Sequence, residues 1–262
     1  MQEFKLLHQQ AQPLFIANVW DAISAKCAQN AGYQALGTSS AAIAGLLGYE
    51  DGEEIPFKEL RYIVSRIKAA SCLPLTVDIE AGFSRDPKII VDNIQQLLEL
   101  GVVGINIEDS RVGADRTLVD TSEFTKLLAA ICYQLQQREI DVFINVRCDV
   151  FLLGVDNAVA EAVKRITSYQ RTGIHGLFFP CLSQIDDIKT IVKAASLPIN
   201  VMTIPELPDF EILASLGVKR ISMGNFAHQA MHKRLQHQLL EITETGNWQS
   251  LFSQEKQLSM GL

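Results

Sequence analysis

The sequence contains no apolar run approaching the ~20 residues that a membrane-spanning helix needs, which predicts a protein without a membrane span. It also has no surplus of positive charge. Twenty-three Lys and Arg stand against thirty Asp and Glu, a net charge of −7, which argues against a nucleic-acid or anionic-lipid surface. The five cysteines are scattered and never form a CxxC pair, so they read as reduced thiols of a cytoplasmic protein. The first residues, MQEFKLLHQQ, lack the apolar core of a secretory signal. No GxGxxG or Walker pattern is present, which removes the common phosphate loops.

What is present is alternation. Short apolar runs rich in β-branched residues predict strands at 14–18, 33–38, 74–80, 104–108, 141–147, 176–180, 198–202 and 220–224. Longer segments between them carry apolar residues at helical spacing, as in Ile89, Ile90, Ile94, Leu97 and Leu98. Gly32, Gly101, Gly173 and Gly217 each stand a few residues before a strand, where a helix ends most easily. Pro87 after Asp86, and Thr121-Ser122-Glu123, mark helix starts. Eight strands separated by helices predict an α/β fold, a (β/α)8 TIM barrel over 1–244, with an open doubly wound sheet as the alternative. Residues 245–262 are polar and read as a C-terminal tail or inter-subunit arm beyond a single domain.

In a barrel of this kind chemistry sits at the C-terminal strand ends. There the chain places Asn18, Asp78, Glu80, Glu108, Asp109, Arg147 and Asp149. One acidic residue at such a place is as readily a helix cap, but several successive strands supply them here. Asp78 and Glu80, one residue apart, are expected to leave the same face of their strand. Carboxylates converging on one mouth repel each other unless a cation joins them. Oxygen-only ligands point to Mg²⁺ or Mn²⁺ rather than zinc. Arg147 suits bidentate binding of a carboxylate or phosphonate. Asp51, on the loop after the second strand, is either a further acid of the site or a solvated turn residue. His175, at the start of a strand, reads as structural, while His228 is near enough to the last strand to be a site candidate. Cys148 and Cys181 read as buried thiols near the mouth.

The chain resembles the isocitrate lyase and phosphoenolpyruvate mutase superfamily over essentially its full length. The resemblance rests on Asp21-Ala22-Ile23-Ser24-Ala25, Thr38-Ser39-Ser40-Ala41-Ala42, Asp78-Ile79-Glu80-Ala81-Gly82-Phe83, Gly104-Ile105-Asn106-Ile107-Glu108-Asp109 and Ile144-Asn145-Val146-Arg147-Cys148-Asp149. It implies a Mg²⁺-dependent barrel enzyme, often tetrameric, acting on small α-keto or α-hydroxy carboxylates or phosphonates through an enolate. By position, Asp78, Glu80 and Glu108 would hold the metal, and Asp51 would add to the acidic cluster. Backbone N–H groups near Ser39 and Ser40 would bind a substrate oxygen, and Arg147 would clamp the anionic end.

The chain also departs from its relatives. The lyases carry a Lys-Lys-Cys-Gly-His loop with an acid cysteine after strand four, where this chain reads Ser110-Arg111-Val112-Gly113-Ala114-Asp115-Arg116. Mutase-like members have a His at the end of strand six, where Pro180 and Cys181 stand. Ser40 replaces the glycine of a serine-glycine pair, Gly37 stands where an aromatic precedes that pair, and Glu80 stands where several members have Asp. The expectation is a cytoplasmic, homo-oligomeric lyase-like enzyme that cleaves or forms a C–C or P–C bond beside an α-carbonyl. The alternatives are an oxaloacetate-type decarboxylase or hydrolase on the same core, and a non-catalytic keto-acid-binding barrel.

Overall fold

Continuous runs of Val, Ile, Leu and Phe form strands here because helices cover one face and the barrel interior the other. The computed structural model describes residues 2–113 and 115–252. Its strands are β1 (Leu14–Phe15), β2 (Ala17–Val19), β3 (Leu36–Thr38), β4 (Leu75–Asp78), β5 (Gly104–Glu108), β6 (Ser110–Arg111), β7 (Thr117–Leu118), β8 (Phe143–Arg147), β9 (Gly176–Phe179), β10 (Ile199–Met202) and β11 (Arg220–Ser222). β6 and β7 form a small antiparallel hairpin, and the others make one parallel sheet in the order β1-β11-β10-β9-β8-β5-β4-β3-β2. β1 and β2 are two halves of one strand interrupted at Ile16, whose N–H still bonds the Ile221 carbonyl at 2.9 Å. The first half pairs with β11 and the second with β3, so the sheet closes on itself. The fold is a (β/α)8 barrel.

Helices α1 (Gln2–Leu7), α2 (Ala22–Asn30), α3 (Ser40–Leu47), α4 (Phe57–Ala70), α5 (Pro87–Leu98), α6 (Thr121–Gln137), α7 (Ala158–Tyr169), α8 (Ile185–Ala194) and α9 (Phe210–Ser215) belong with the strands to one compact unit, residues 1–224. Residues 225–262 form the second, with α10 (Phe226–Thr245) ending at Gly246. This division falls twenty residues before the expected start of the tail, whose residues 253–262 lie outside the described ones.

Local chemistry accounts for most boundaries. Asp86 caps α5 by accepting the Lys88 N–H at 2.8 Å, with Pro87 in the first turn. The cap of α6 is Asp120, one residue before the expected Thr121, because its carboxylate reaches the N–H groups of both Ser122 and Glu123. The second strand begins at Leu36 rather than residue 33, since Tyr33 still closes the preceding helix by bonding the Ala28 carbonyl.

Alternation along each strand sends apolar side chains to the helix layer. Val77, Ile105, Ile144, Val146, Leu177 and Val201 are buried there with Ile67, Ile94, Leu128, Ile166 and Ile188. The opposite face is polar. Arg220, 2% exposed, reaches Asn106 Oδ1 at 3.4 Å across the barrel, and Asn145 donates to the same oxygen at 3.0 Å. Burial pulls the Arg220 guanidinium down to about 9, still a cation at neutral pH.

At the strand starts Phe4 and His8 close the barrel. The His8 ring lies 4.4 Å from that of Phe143, and its Nδ1 donates to the Phe4 carbonyl at 2.9 Å. Burial, then the Arg220 charge, pushes His8 down to about 3, and burial pushes His175 down to about 4. Both rings are neutral in the folded protein at pH 5, whereas the unfolded chain begins to protonate them below about 6.5. These two rings therefore cost no stability above pH 6.5 and cost progressively more as pH falls toward 4. His8→Leu removes one such proton site, so its unfolding free energy falls less than the wild type's between pH 7 and pH 5, by about 2 kcal/mol. Urea titrations at the two pH values check this, and equal falls would remove His8 as the cause.

Candidate active site

The acidic strand ends meet at one mouth. β4 stops at Asp78, and the chain then turns, with the Gly82 N–H bonding the Ile79 carbonyl at 2.7 Å. Glu80 therefore does not share a strand face with Asp78, as alternation had suggested. It lies in the turn with a left-handed φ of 50°, and its N–H donates to Asp78 Oδ1 at 3.2 Å. Gly82 (φ 102°) permits this turn, since a Cβ there would stand 2.8 Å from Ile90 Cγ1. Glu80 Oε2 accepts the Glu53 N–H at 2.6 Å, and Glu53 in turn bonds the Phe83 N–H and Arg85. The loop that carries Asp51 is thus tied to the turn that carries Glu80.

Asp78, Glu80 and Glu108 are all buried. Burial, then the charges of Asp78, Asp51 and Glu108, pushes Glu80 up to about 8. Burial also raises Asp78 and Glu108, against the opposing pull of Arg147. Glu80 Oε1 is buried without a hydrogen-bond partner. Mutually repelling, buried, partly unsatisfied carboxylate oxygens fit a hard divalent cation in chemistry and charge. As they stand, no three acids among the described residues are gathered closely enough to hold one.

Glu108 is instead paired with guanidiniums on both oxygens. Arg147 Nη1 lies 3.1 Å from Glu108 Oε2 and its Nε 2.6 Å from Asp149 Oδ1. Arg116, from the turn of the β6–β7 hairpin, takes the other oxygen of each, contacting Glu108 Oε1 and standing 3.2 Å from Asp149 Oδ2. Its Nη2 also reaches Asp51 Oδ2 at 3.3 Å. Two guanidiniums and two carboxylates therefore alternate, with Asp51 attached at the rim. Ser110 donates to Asp149 at 2.5 Å.

Ser39 and Ser40 divide their work. Ser39 caps α3, accepting the Ala42 N–H on its hydroxyl at 3.3 Å, while its own N–H is committed to the Val19 carbonyl. Ser40 donates its hydroxyl to Asp78 Oδ2 at 3.0 Å. Of the amides expected to meet a substrate oxygen, Ser39's is thus taken. Those of Ser40 and Ala41 stand in the first helical turn, where no carbonyl four residues back is available.

Behind this cluster Asp109 is fully buried. It accepts from Arg165 at 2.8 Å, from the Tyr169 hydroxyl at 3.0 Å and from the Asp149 N–H at 2.9 Å. Cys148 is equally buried, and its thiol is pushed well above the ordinary range. His175 accepts the Ile144 N–H at the strand starts, a structural position. His228 belongs to the second unit, its Nε2 at 2.9 Å from that of His232. A cavity of about 400 Å³ lined by Cys132, Ile140 and His175 lies by the strand starts, away from the acids.

Sequence reasoning placed Asp78, Glu80, Glu108, Asp51, Ser40 and Arg147 within this mouth. It passed over Arg116 as a site residue, and it did not name Glu53. The run Glu50-Asp51-Gly52-Glu53-Glu54 carried the signal for the latter.

Comparison with known proteins agrees with the geometry. An uncharacterized protein of Mycobacterium tuberculosis (strain H37Rv) is 30% identical over 87% of this chain and 83% of its own. An oxaloacetate decarboxylase from Rhodopseudomonas palustris (strain HaA2) is 28% identical over 80% of this chain and 73% of its own. The crystal structure of a provisionally assigned phosphonomutase from Burkholderia cenocepacia J2315 superposes with a TM-score of 0.85 at 35% identity. It covers 91% of this chain and 98% of that one. The phosphoenolpyruvate phosphomutase family matches residues 4–243, and the chain belongs to that family.

Proposed function

We propose that this protein is a divalent-metal-dependent enzyme, using Mg²⁺ or Mn²⁺, that generates an enolate from a small keto acid, most simply by decarboxylating a β-keto dicarboxylate of the oxaloacetate class. The observation that carries this reading is the buried set Asp78, Glu80 and Glu108 beside Arg147 at the strand ends of one barrel mouth. These acids would hold the metal, with Asp51 beside them, and when bound it would supply positive charge against the developing enolate oxygen. Arg147 would take a substrate carboxylate in its planar fork. The Ser40 and Ala41 amides would meet a second anionic oxygen with the dipole of α3 behind them. As CO₂ leaves, its bonding electrons pass to the carbonyl oxygen as an enolate, and a proton from solvent water adds at carbon to give the shorter keto acid.

Decarboxylation is favoured over isocitrate-type cleavage because, among the described residues, the β6–β7 hairpin and Cys148 offer the acids no free proton donor. Ser110 is committed to Asp149, Arg116 is held raised by its carboxylates, Asp115 is exposed, and Cys148 is sealed. A departing carboxylate that must be protonated as the bond breaks would find no donor on this hairpin, a deficit of ~10²–10⁴ in rate, whereas departing CO₂ takes no proton and the enolate left behind can be protonated afterwards from solvent. The 28% identity to oxaloacetate decarboxylases supports the same choice. Lyase cleavage of a C–C or P–C bond is the second reading, supported by the 35% identity to the provisionally assigned phosphonomutase. We place the protein in the cytoplasm and as a homo-oligomer, the latter supported by the exposed Leu235, Leu239, Leu240 and Trp248 of the second unit. Oxaloacetate should exceed isocitrate and 2-methylisocitrate in kcat/KM by at least ~100-fold. Steady-state assays with each acid check this, and comparable values would mean that a proton donor exists.

A further inference from the structure

Arg116 has four polar partners: Asp51, Glu108, Asp149 and the Ser110 hydroxyl. All four belong to the acidic mouth or touch it. Arg147 differs, being fixed at the end of β8 with its Nε on Asp149 at 2.6 Å. The acids fall into two groups by what neutralises them. Asp51 and Glu108 face the Arg116 guanidinium. Asp78 feels the Arg147 charge but makes no ion pair with it, and it accepts from Ser40 and the Glu80 N–H, while Glu80 accepts the Glu53 N–H on one oxygen and no hydrogen bond on the other. Both oxygens of Glu108 are turned toward guanidiniums. A divalent ion bound there would stand within ion-pair distance of Arg116, with the two positive charges repelling each other through a largely desolvated space.

We propose that Arg116 is the resident cation of this site, holding Asp51 and Glu108 until a divalent metal displaces it, so that metal binding is an exchange and Arg116 sets its affinity. The proposal rests on the metal reading above. Glu108 then has Arg116 on one carboxylate oxygen and Arg147 on the other. The Arg116 guanidinium bridges the Asp51 loop to the β6–β7 hairpin, where Gly52 packs so closely on Val112 that a Cβ would stand 2.6 Å from its Cγ1.

The test measures Mn²⁺ binding by the loss of the free-ion electron paramagnetic resonance signal. Arg116→Gln removes the competitor and is expected to bind Mn²⁺ at least ~10-fold more tightly than wild type. Arg111→Gln removes a charge from the same hairpin, but one paired with Glu123, and its affinity should equal the wild type's. A second measurement needs no variant. Phenylglyoxal modification at Arg116, located by mass spectrometry, should accelerate as Mg²⁺ saturates the protein. Unchanged or weaker Mn²⁺ binding by Arg116→Gln, or modification that Mg²⁺ leaves unchanged or slows, would overturn the exchange while leaving the metal reading intact. Failure of wild type and variants alike to bind Mn²⁺ would sink both.

Discussion

Asp78→Asn is expected to lower kcat/KM by on the order of 10³-fold at any Mg²⁺ concentration while leaving the fold intact. Asparagine keeps the shape of the side chain. Its Oδ1 can still accept the Glu80 N–H, and its amide nitrogen can donate to Ser40, which the carboxylate now accepts from. What disappears is one negative charge in a place 8% exposed. Because burial already raises the Asp78 carboxyl, losing that charge should not lower the melting temperature of the metal-free protein. Metal affinity should fall together with turnover. Kinetics with Mg²⁺ in excess, alongside thermal melts, separate these effects. Wild-type turnover in this variant would remove Asp78 from the chemistry.

The largest stability effect is expected behind the site, at Arg165→Met. Arg165 and Asp109 are 4% and 0% exposed, and the guanidinium stands 2.8 Å from the carboxylate. Removing it leaves Asp109 buried with no cation beside it, held by the Tyr169 hydroxyl, the Asp149 N–H and the Cys148 thiol, at a cost of about 3–5 kcal/mol. Removing both charges, in Arg165→Met with Asp109→Asn, should restore much of that loss, since asparagine carries no charge to strand. Asp109 also holds the Asp149 N–H, and Asp149 holds Arg147, so activity should fall in the single variant beyond what unfolding explains. Urea unfolding of the three proteins tests the pair. A single variant within 1 kcal/mol of wild type would mean that the buried carboxylate finds another partner.

The barrel is legible in the sequence because its determinants are local. Runs such as Leu75-Thr76-Val77-Asp78 and Phe143-Ile144-Asn145-Val146 announce strands buried on both faces. Gly32, Gly101, Gly173 and Gly217 announce helix ends, and all four adopt positive φ. The acids at the mouth are legible for the same reason, since a position at a strand end fixes where a side chain emerges. What is not legible depends on loops. Period-two alternation says nothing about a chain that has left its strand, and so it misplaces Glu80, which lies in a left-handed turn that depends on Gly82, where Ile90 leaves no room for a Cβ. Arg116 lies eight residues from Glu108 and 65 from Asp51, and only the folded hairpin and loop bring the three together. The split of the first strand at Ile16 closes the barrel without any mark in a run that reads as one strand.

In the proposed mechanism Asp78, Glu80, Glu108, Arg147 and the first turn of α3 would together hold a divalent metal and an enolate oxygen. The most direct measurement is a crystal structure with Mn²⁺ and oxalate, a planar mimic of the enolate, read from the anomalous scattering of manganese. The expected result is one Mn²⁺ among Asp78, Glu80 and Glu108. Oxalate should lie against Arg147 and the Ser40 and Ala41 amides, and Arg116 should be off Glu108. Manganese elsewhere at saturating concentration, or oxalate bound with Arg116 still paired to Glu108 and no metal beside it, would contradict it.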